Sequence, residues 1–173
     1  MREILFRGKN IGNGEWVEGS LVTRRYNDTG EVFEAFIVVD AYPQTGVMNF
    51  GTTPVLISPS DGLCYRVDKD TICQYTGLTD KNGQKIWEND ILRGNNDDRD
   101  LVKVVFGEFG VIDASSLEAV DNVIGLHYEV LPTDHLSRTE PFCLSMPLTS
   151  TYVNRGKYEV IGNVFDNAEL LKE

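Results

Sequence analysis

Apolar and polar residues alternate with a period of two along much of this chain, in short runs separated by turn-forming residues. Glu3 to Lys9 and Glu15 to Leu21 read as two strands joined by Asn10-Ile11-Gly12-Asn13-Gly14, where an Asn-Gly pair tolerates the positive φ of a tight turn. Phe33, Ala35, Ile37 and Val39 alternate with Glu34, Phe36, Val38 and Asp40, so one face is apolar throughout and the other only at its centre. That pattern predicts a strand inside a sheet. Pro43, Gly46, Gly51, Pro54, Pro59 and Gly62 break the next stretch into loops around one short strand, Val55 to Ile57. Cys64 to Val67 and Thr71 to Tyr75 are further strands, with Asp68-Lys69-Asp70 as the turn between them.

The middle of the chain carries the sharpest local signal. Two apolar-rich runs flank Lys81-Asn82-Gly83-Gln84, which predicts a hairpin closed by a type I′ turn. Ile91 to Arg93 then leads into the polar loop Gly94 to Asp100, and Leu101 to Phe106 alternates again, so these two strands are expected to pair through the loop. A helix is predicted after them: Ser115 as cap, Glu118 three residues on, Leu117, Val120 and Ile124 at helical spacing, and Gly125 as the stop. Leu131 to Asn154, rich in Pro, Thr and Ser, reads as an irregular excursion and as the candidate partner-binding loop. Tyr158 to Ile161 closes the pattern as a strand, followed by a short helix from Asn167 to Lys172 capped by Asp166.

The sum is a mainly β fold of antiparallel hairpins, forming a small barrel or a sandwich-like structure, with one or two short helices including a C-terminal one. A length of 173 residues suits a single domain over 1–173, with an N-terminal β subdomain over 1–73 packed on 74–173 as a finer division.

Charge narrows the partners. The 27 acidic and 16 basic side chains leave a net charge of −11, a field that repels polyphosphate and anionic lipid. Arg2, Arg7, Lys9, Arg24 and Arg25 fall early in the chain, and the reading adopted for them is dispersal over exposed strand faces. The acids are scattered rather than arranged in rows, which argues against imitation of DNA. No apolar run approaches the roughly 20 residues that span a bilayer, so the expectation is a cytoplasmic protein without a membrane partner. Cys64, Cys73 and Cys143 match neither a disulfide framework nor a zinc motif and read as reduced, partly buried small hydrophobes.

Candidate chemistry is sparse. His127 and His135 with Cys143 lack zinc-type spacing, and no nucleophile elbow accompanies any serine or cysteine. Gly12-Asn13-Gly14 has Val17 where a dinucleotide loop needs its third glycine. Asp80, Glu88 and Asp90 around the central hairpin form the one imaginable carboxylate cluster for magnesium or acid-base work, against the commoner role of turn carboxylates. No catalytic, cofactor-binding or metal-binding residue is therefore assigned, and no cofactor is expected.

Three segments carry a family likeness: Phe6-Arg7-Gly8-Lys9 with Gly14-Glu15-Trp16-Val17-Glu18-Gly19, then Gln74 to Leu92, then Tyr158 to Asn167. Their order and wording resemble the YopX family of phage and prophage proteins. Asn89 stands where that family usually has Gly, and Ala168 where it usually has Pro, both tolerable for the backbone. The resemblance implies a phage or prophage origin in a bacterial cytoplasm, a β-rich fold and no assigned catalysis or functional residues. The leading expectation is a non-catalytic accessory protein that binds a protein partner or itself, through sheet edges or the 131–154 excursion. The alternative is a nucleic-acid-binding β-barrel module with Tyr75 or Trp87 as stacking platforms. A metal-dependent enzyme ranks below both.

Overall fold

The computed structural model describes residues 3–26, 29–39, 64–113, 115–116 and 118–171. The expected strand Val55 to Ile57 and the loops around it lie outside the described residues. The chain divides into two compact units, Met1–Gln74 and Tyr75–Glu173.

In the first unit the strands are β1 (Phe6–Lys9), β2 (Trp16–Arg25), β3 (Val32–Val38) and β4 (Cys64–Val67), antiparallel in the order β4-β3-β2-β1. The first residues of β5 (Cys73–Thr79) extend this sheet beside β1, through Arg7↔Cys73 and Phe6↔Gln74. β3 has a neighbour on each side, as its two-faced pattern predicts. Ala35, Ile37 and Val67 form the buried centre, with Phe6, Val17, Leu21 and Ile72 packed around it. Asp68 caps a single 3-10 turn, Lys69–Thr71, by accepting from the Asp70 amide at 3.1 Å. The Thr71 hydroxyl then accepts from the Lys9 amide at 2.9 Å, tying that turn to the end of β1.

In the second unit β5 pairs with β6 (Lys85–Trp87). A separate antiparallel sheet runs in the order β10-β9-β8-β7-β11, built from β7 (Asp90–Arg93), β8 (Leu101–Ile112), β9 (Ala119–Val130), β10 (Met146–Pro147) and β11 (Glu159–Asn163). Its core holds Ile86, Leu92, Val102, Val104, Tyr128, Leu148, Val153 and Tyr158. The hydrophobic effect favours this face because alternate residues of β8 and β9 point the same way when paired, as in Val102↔Val130 and Val104↔Tyr128. The fold is mainly β and antiparallel, as expected, but no closed barrel occurs among the described residues.

Three local expectations are corrected. The central hairpin does not close on a type I′ turn. The Gly83 amide donates to the Asp80 carbonyl at 3.0 Å, and Gly83 has φ +82° while Asn82 is not among the positive-φ residues. This is a type I turn followed by a left-handed glycine, the bulged three-residue alternative for hairpins. Where a helix is expected at 115–124, Ser115 and Ser116 lie in a turn and Ala119 begins β9, which pairs with β8 from Ile112↔Ala119 to Val102↔Val130. Val120, Asn122, Ile124 and Leu126 fit a period of two as well as a helical one, and an available partner strand decided between them. Leu117 lies outside the described residues. The C-terminal helix is a single 3-10 turn, Ala168–Leu171.

The 131–154 excursion is not wholly irregular. It contains β10, a 3-10 turn at Leu136–Arg138, and the only α-helix among the described residues, α1 (Ser150–Arg155), whose cap Thr149 accepts from the Tyr152 amide at 3.1 Å.

Candidate functional site

Within the second unit, β8 and β9 supply Val102, Tyr128 and Val130 as the floor of a cleft of about 420 Å³. The excursion supplies its wall. Leu136, Pro141, Phe142, Leu144 and Met146 bring apolar surface to it, while Asp97, Arg99, Asp100 and Asp134 supply its charge. A volume of this order lies within the usual range for a small-molecule or side-chain site, roughly 300–1,000 Å³.

The wall is braced by its own backbone chemistry. The Ser137 amide donates to Asp134 Oδ1 at 2.9 Å, and the Ser137 hydroxyl accepts from the Asp134 amide at 3.0 Å. The Ser137 amide, as the largest cause, holds the Asp134 carboxyl below the usual carboxylate range. Turn bonds from the Phe142 and Cys143 amides to the Thr139 carbonyl fold the next segment. β10 then aligns Met146 with Tyr128 on β9.

α1 and the residues after it complete a stack of three tyrosines. Tyr152 lies with its ring 4.0 Å from that of Tyr128, at 13° between planes, and 4.8 Å from that of Tyr158, at 24°. Two of the hydroxyls are also linked: Tyr152 to Tyr158, and Tyr158 to Asp100 Oδ1 at 2.8 Å. Gly94 makes room for the last link, because a Cβ there would lie 2.0 Å from Asp100 Oδ2 and 2.9 Å from the Tyr158 ring.

Burial raises all three phenols above the ordinary value of 10.0, and for Tyr152 the Tyr158 hydroxyl adds to the effect. The unfolded chain therefore loses these protons at lower pH than the folded one. Their contribution to stability is fully present below about pH 10 and is lost as pH rises from there toward the folded values. The urea midpoint should stay level from about pH 7 to 9.5 and then fall, with a shallower fall in Tyr152→Phe. Equal slopes in the two proteins would detach the stack from alkaline unfolding.

Two of the three carboxylates singled out by sequence, Asp80 and Asp90, are used internally. Asp80 is buried and accepts from the amides of Asn82 at 2.8 Å, Gln84 at 2.9 Å and Val160 at 3.0 Å. Asp90, also buried, accepts from the Trp87 amide at 2.8 Å, across a turn in which Asn89 has φ +66°. Both carboxylates close turns by accepting from backbone amides. His127 is buried on β9, stacked on Phe109 at 4.8 Å, and His135 lies at the start of the 3-10 turn in the excursion. Cys64 and Cys73 are buried and Cys143 half-buried, all as free thiols.

Arg24 and Arg25 lie at exposed positions of β2, as expected, whereas Arg7 is not exposed. Arg7 is buried, with its guanidinium 4.5 Å from the Trp16 ring centre, and Arg24 pairs with Glu34 at 2.9 Å. Tyr75 and Trp87 are buried against each other, ring centres 5.4 Å apart, so neither offers an open face on which a base can stack. Sequence reading pointed to the excursion but missed the cleft's polar end. Asp100, Tyr128, Tyr152 and Tyr158 share no spacing that marks them as a group.

The described residues thus define a mainly β, antiparallel protein with a tyrosine-lined cleft. The chain is a member of the YopX family, whose model, described as YopX protein, matches residues 5–172. No curated protein matches it significantly. Among solved structures it is similar to the crystal structure of protein EF1440 from Enterococcus faecalis, at 21% identity over 99% of this chain and 100% of that one, with a TM-score of 0.46. Among the described residues no helix is long and apolar enough to cross a membrane.

Proposed function

We propose that this protein is a phage- or prophage-encoded binding module, non-catalytic and cytoplasmic, that engages a protein partner at the cleft walled by residues 131–154. The observation that carries this reading is the wall itself. Leu136, Phe142 and Met146 are 59%, 58% and 43% exposed on a segment whose backbone is braced by caps and turns. Apolar side chains held out by a rigid support make a preformed contact surface, because little ordering entropy remains to be lost on binding.

The test is parallel affinity purification of the tagged protein and its Phe142→Asp variant from the bacterium that carries the gene, at two salt concentrations. A defined protein that survives high salt with the parent and is absent with the variant is the expected result. Nucleic acid that elutes as salt rises, retained equally by both, would overturn it.

A second reading, self-association, draws on the β8–β9 ribbon. Beyond the residues paired with β7 and β10, Phe106 and Ile124 continue the core-facing side of the sheet yet are 58% and 75% exposed. Light scattering on the parent and on Ile124→Lys separates this reading from the first. A dimer that dissociates in the variant would support it.

A further inference from the structure

We infer that the cleft between the β8–β9 floor and the 131–154 wall receives a cationic side chain, arginine or lysine, presented by the protein partner. The inference rests on the reading that a partner docks on that wall, and it names the chemistry the partner brings.

The direction of the hydroxyl chain is the first argument. Each phenol has one proton to donate and lone pairs with which to accept. Tyr158 gives its proton to Asp100, so its bond with Tyr152 is donated by Tyr152. The proton of Tyr152 is then committed to Tyr158, and Tyr152 also lines the cleft. Asp100 thereby orients the pair, and Tyr152 is left with only lone pairs to offer an incoming group. The polar end of the cleft calls for a donor.

Charge is the second argument. Three aspartates, Asp97, Asp100 and Asp134, line the cleft against one cation, Arg99. Arg99 is already engaged, donating through Nε and a terminal nitrogen to the two oxygens of Asp97 at 3.0 and 2.8 Å. The Arg99 guanidinium in turn holds the Asp97 carboxyl at about 2, so both partners stay charged at neutral pH. A net negative lining disfavours phosphate, nucleic acid or an acidic peptide and complements an ammonium or guanidinium.

The third argument is shape. Leu136, Phe142, Leu144 and Met146 line the route to this polar end, and the methylene stem of lysine or arginine matches them while its head reaches the acceptors. A wholly apolar side chain would cover the same wall but bring neither a donor for the Tyr152 lone pairs nor a counter-charge for the net negative lining.

The experiment uses the full chain and two-dimensional NMR titration with small probes: Nα-acetyl-arginine amide, Nα-acetyl-lysine amide, Nα-acetyl-norleucine amide, Nα-acetyl-glutamate amide and spermidine. The two cationic amides should shift resonances around Tyr128 and Tyr152 and bind at least about tenfold more tightly than norleucine or glutamate amide. Tyr152→Phe, which keeps the ring stack and removes the acceptor, should shrink the lysine-over-norleucine preference. Because that preference is a ratio measured on one preparation, a variant with a reduced folded fraction still reports it. Norleucine amide binding as well as lysine amide, or no cationic binding at all, would overturn the inference. Spermidine binding more tightly than arginine amide would overturn the assignment to a protein side chain. A partner captured through Phe142 while cationic amides fail to bind would sink this inference and leave the proposed function standing. Cationic amides that bind when no captured partner depends on Phe142 would do the reverse.

Discussion

Asp80→Ala is expected to destabilise the unit Tyr75–Glu173 by about 4 kcal/mol, since hydrogen bonds to a charged acceptor are each worth roughly 1.5–3 kcal/mol and do not add in full. One carboxylate serves both ends of a long connection here. Oδ1 accepts from the Asn82 and Gln84 amides and closes the hairpin, while Oδ2 accepts from the Val160 amide on β11, eighty residues away. Removing the side chain leaves three amide donors without this acceptor at a buried position. Asp80→Asn separates the two roles. Its carbonyl oxygen can keep the turn amides, but its NH2 group then faces the Val160 amide, so about half the loss should remain. Hydrogen exchange at the amides of Asn82, Gln84 and Val160, read beside urea unfolding, checks both variants. A loss below about 1 kcal/mol for Asp80→Ala would mean that water replaces the carboxylate without cost.

Gly19→Ala carries the second large expected effect, in the other unit. Gly19 lies on β2 between β1 and β3, opposite Phe6. A Cβ at this position would sit 2.1 Å from the Val38 carbonyl oxygen and 2.8 Å from its carbon, inside contact distance of backbone that no rotamer change can move. Relief requires β2 and β3 to part where Ser20 pairs with Val38 and Leu21 with Ile37. Ile37 is wholly buried, so the shift would also open the centre of the first unit's core. Overpacking of this kind costs typically 1–3 kcal/mol, and the backbone location puts the expectation at about 3 kcal/mol. Urea unfolding followed by hydrogen exchange on β2 and β3 measures it. Unchanged protection on those strands would show that the sheet accommodates the methyl group freely.

Both predictions concern residues inside the motifs that carry the family likeness, and they explain what those motifs encode. Gly19 closes the first motif, and Asp80 with Gly83 and Asp90 punctuates the second. In the structure these residues admit close backbone approach, close turns and satisfy buried amides. The strongest sequence signal therefore reports the scaffold, while the cleft is lined from less patterned stretches.

How far the sequence could be read follows from the range of the forces involved. Turns and caps are decided by neighbours within a few residues, so the β1–β2 and β5–β6 hairpins, the Asp68 turn and the pairing of β7 with β8 were legible from alternation and turn chemistry. The type of turn at Gly83 was not, because an Asn-Gly pair suits more than one hairpin closure and the flanking register selects among them. At 115–124 the residues fit two periods, and a partner strand 12 residues long supplied the hydrogen bonds that made β9 the better solution. The polar end of the cleft depends on groups 58 residues apart, Asp100 and Tyr158, and on two further rings brought in by β9 and α1. By itself, the sequence determined the β character, the main turns and the family, because each rests on local backbone preference or on a contiguous motif. The tertiary structure alone decided which carboxylates are consumed by backbone and which face the cleft, because burial and hydrogen-bond direction exist only once distant strands have met.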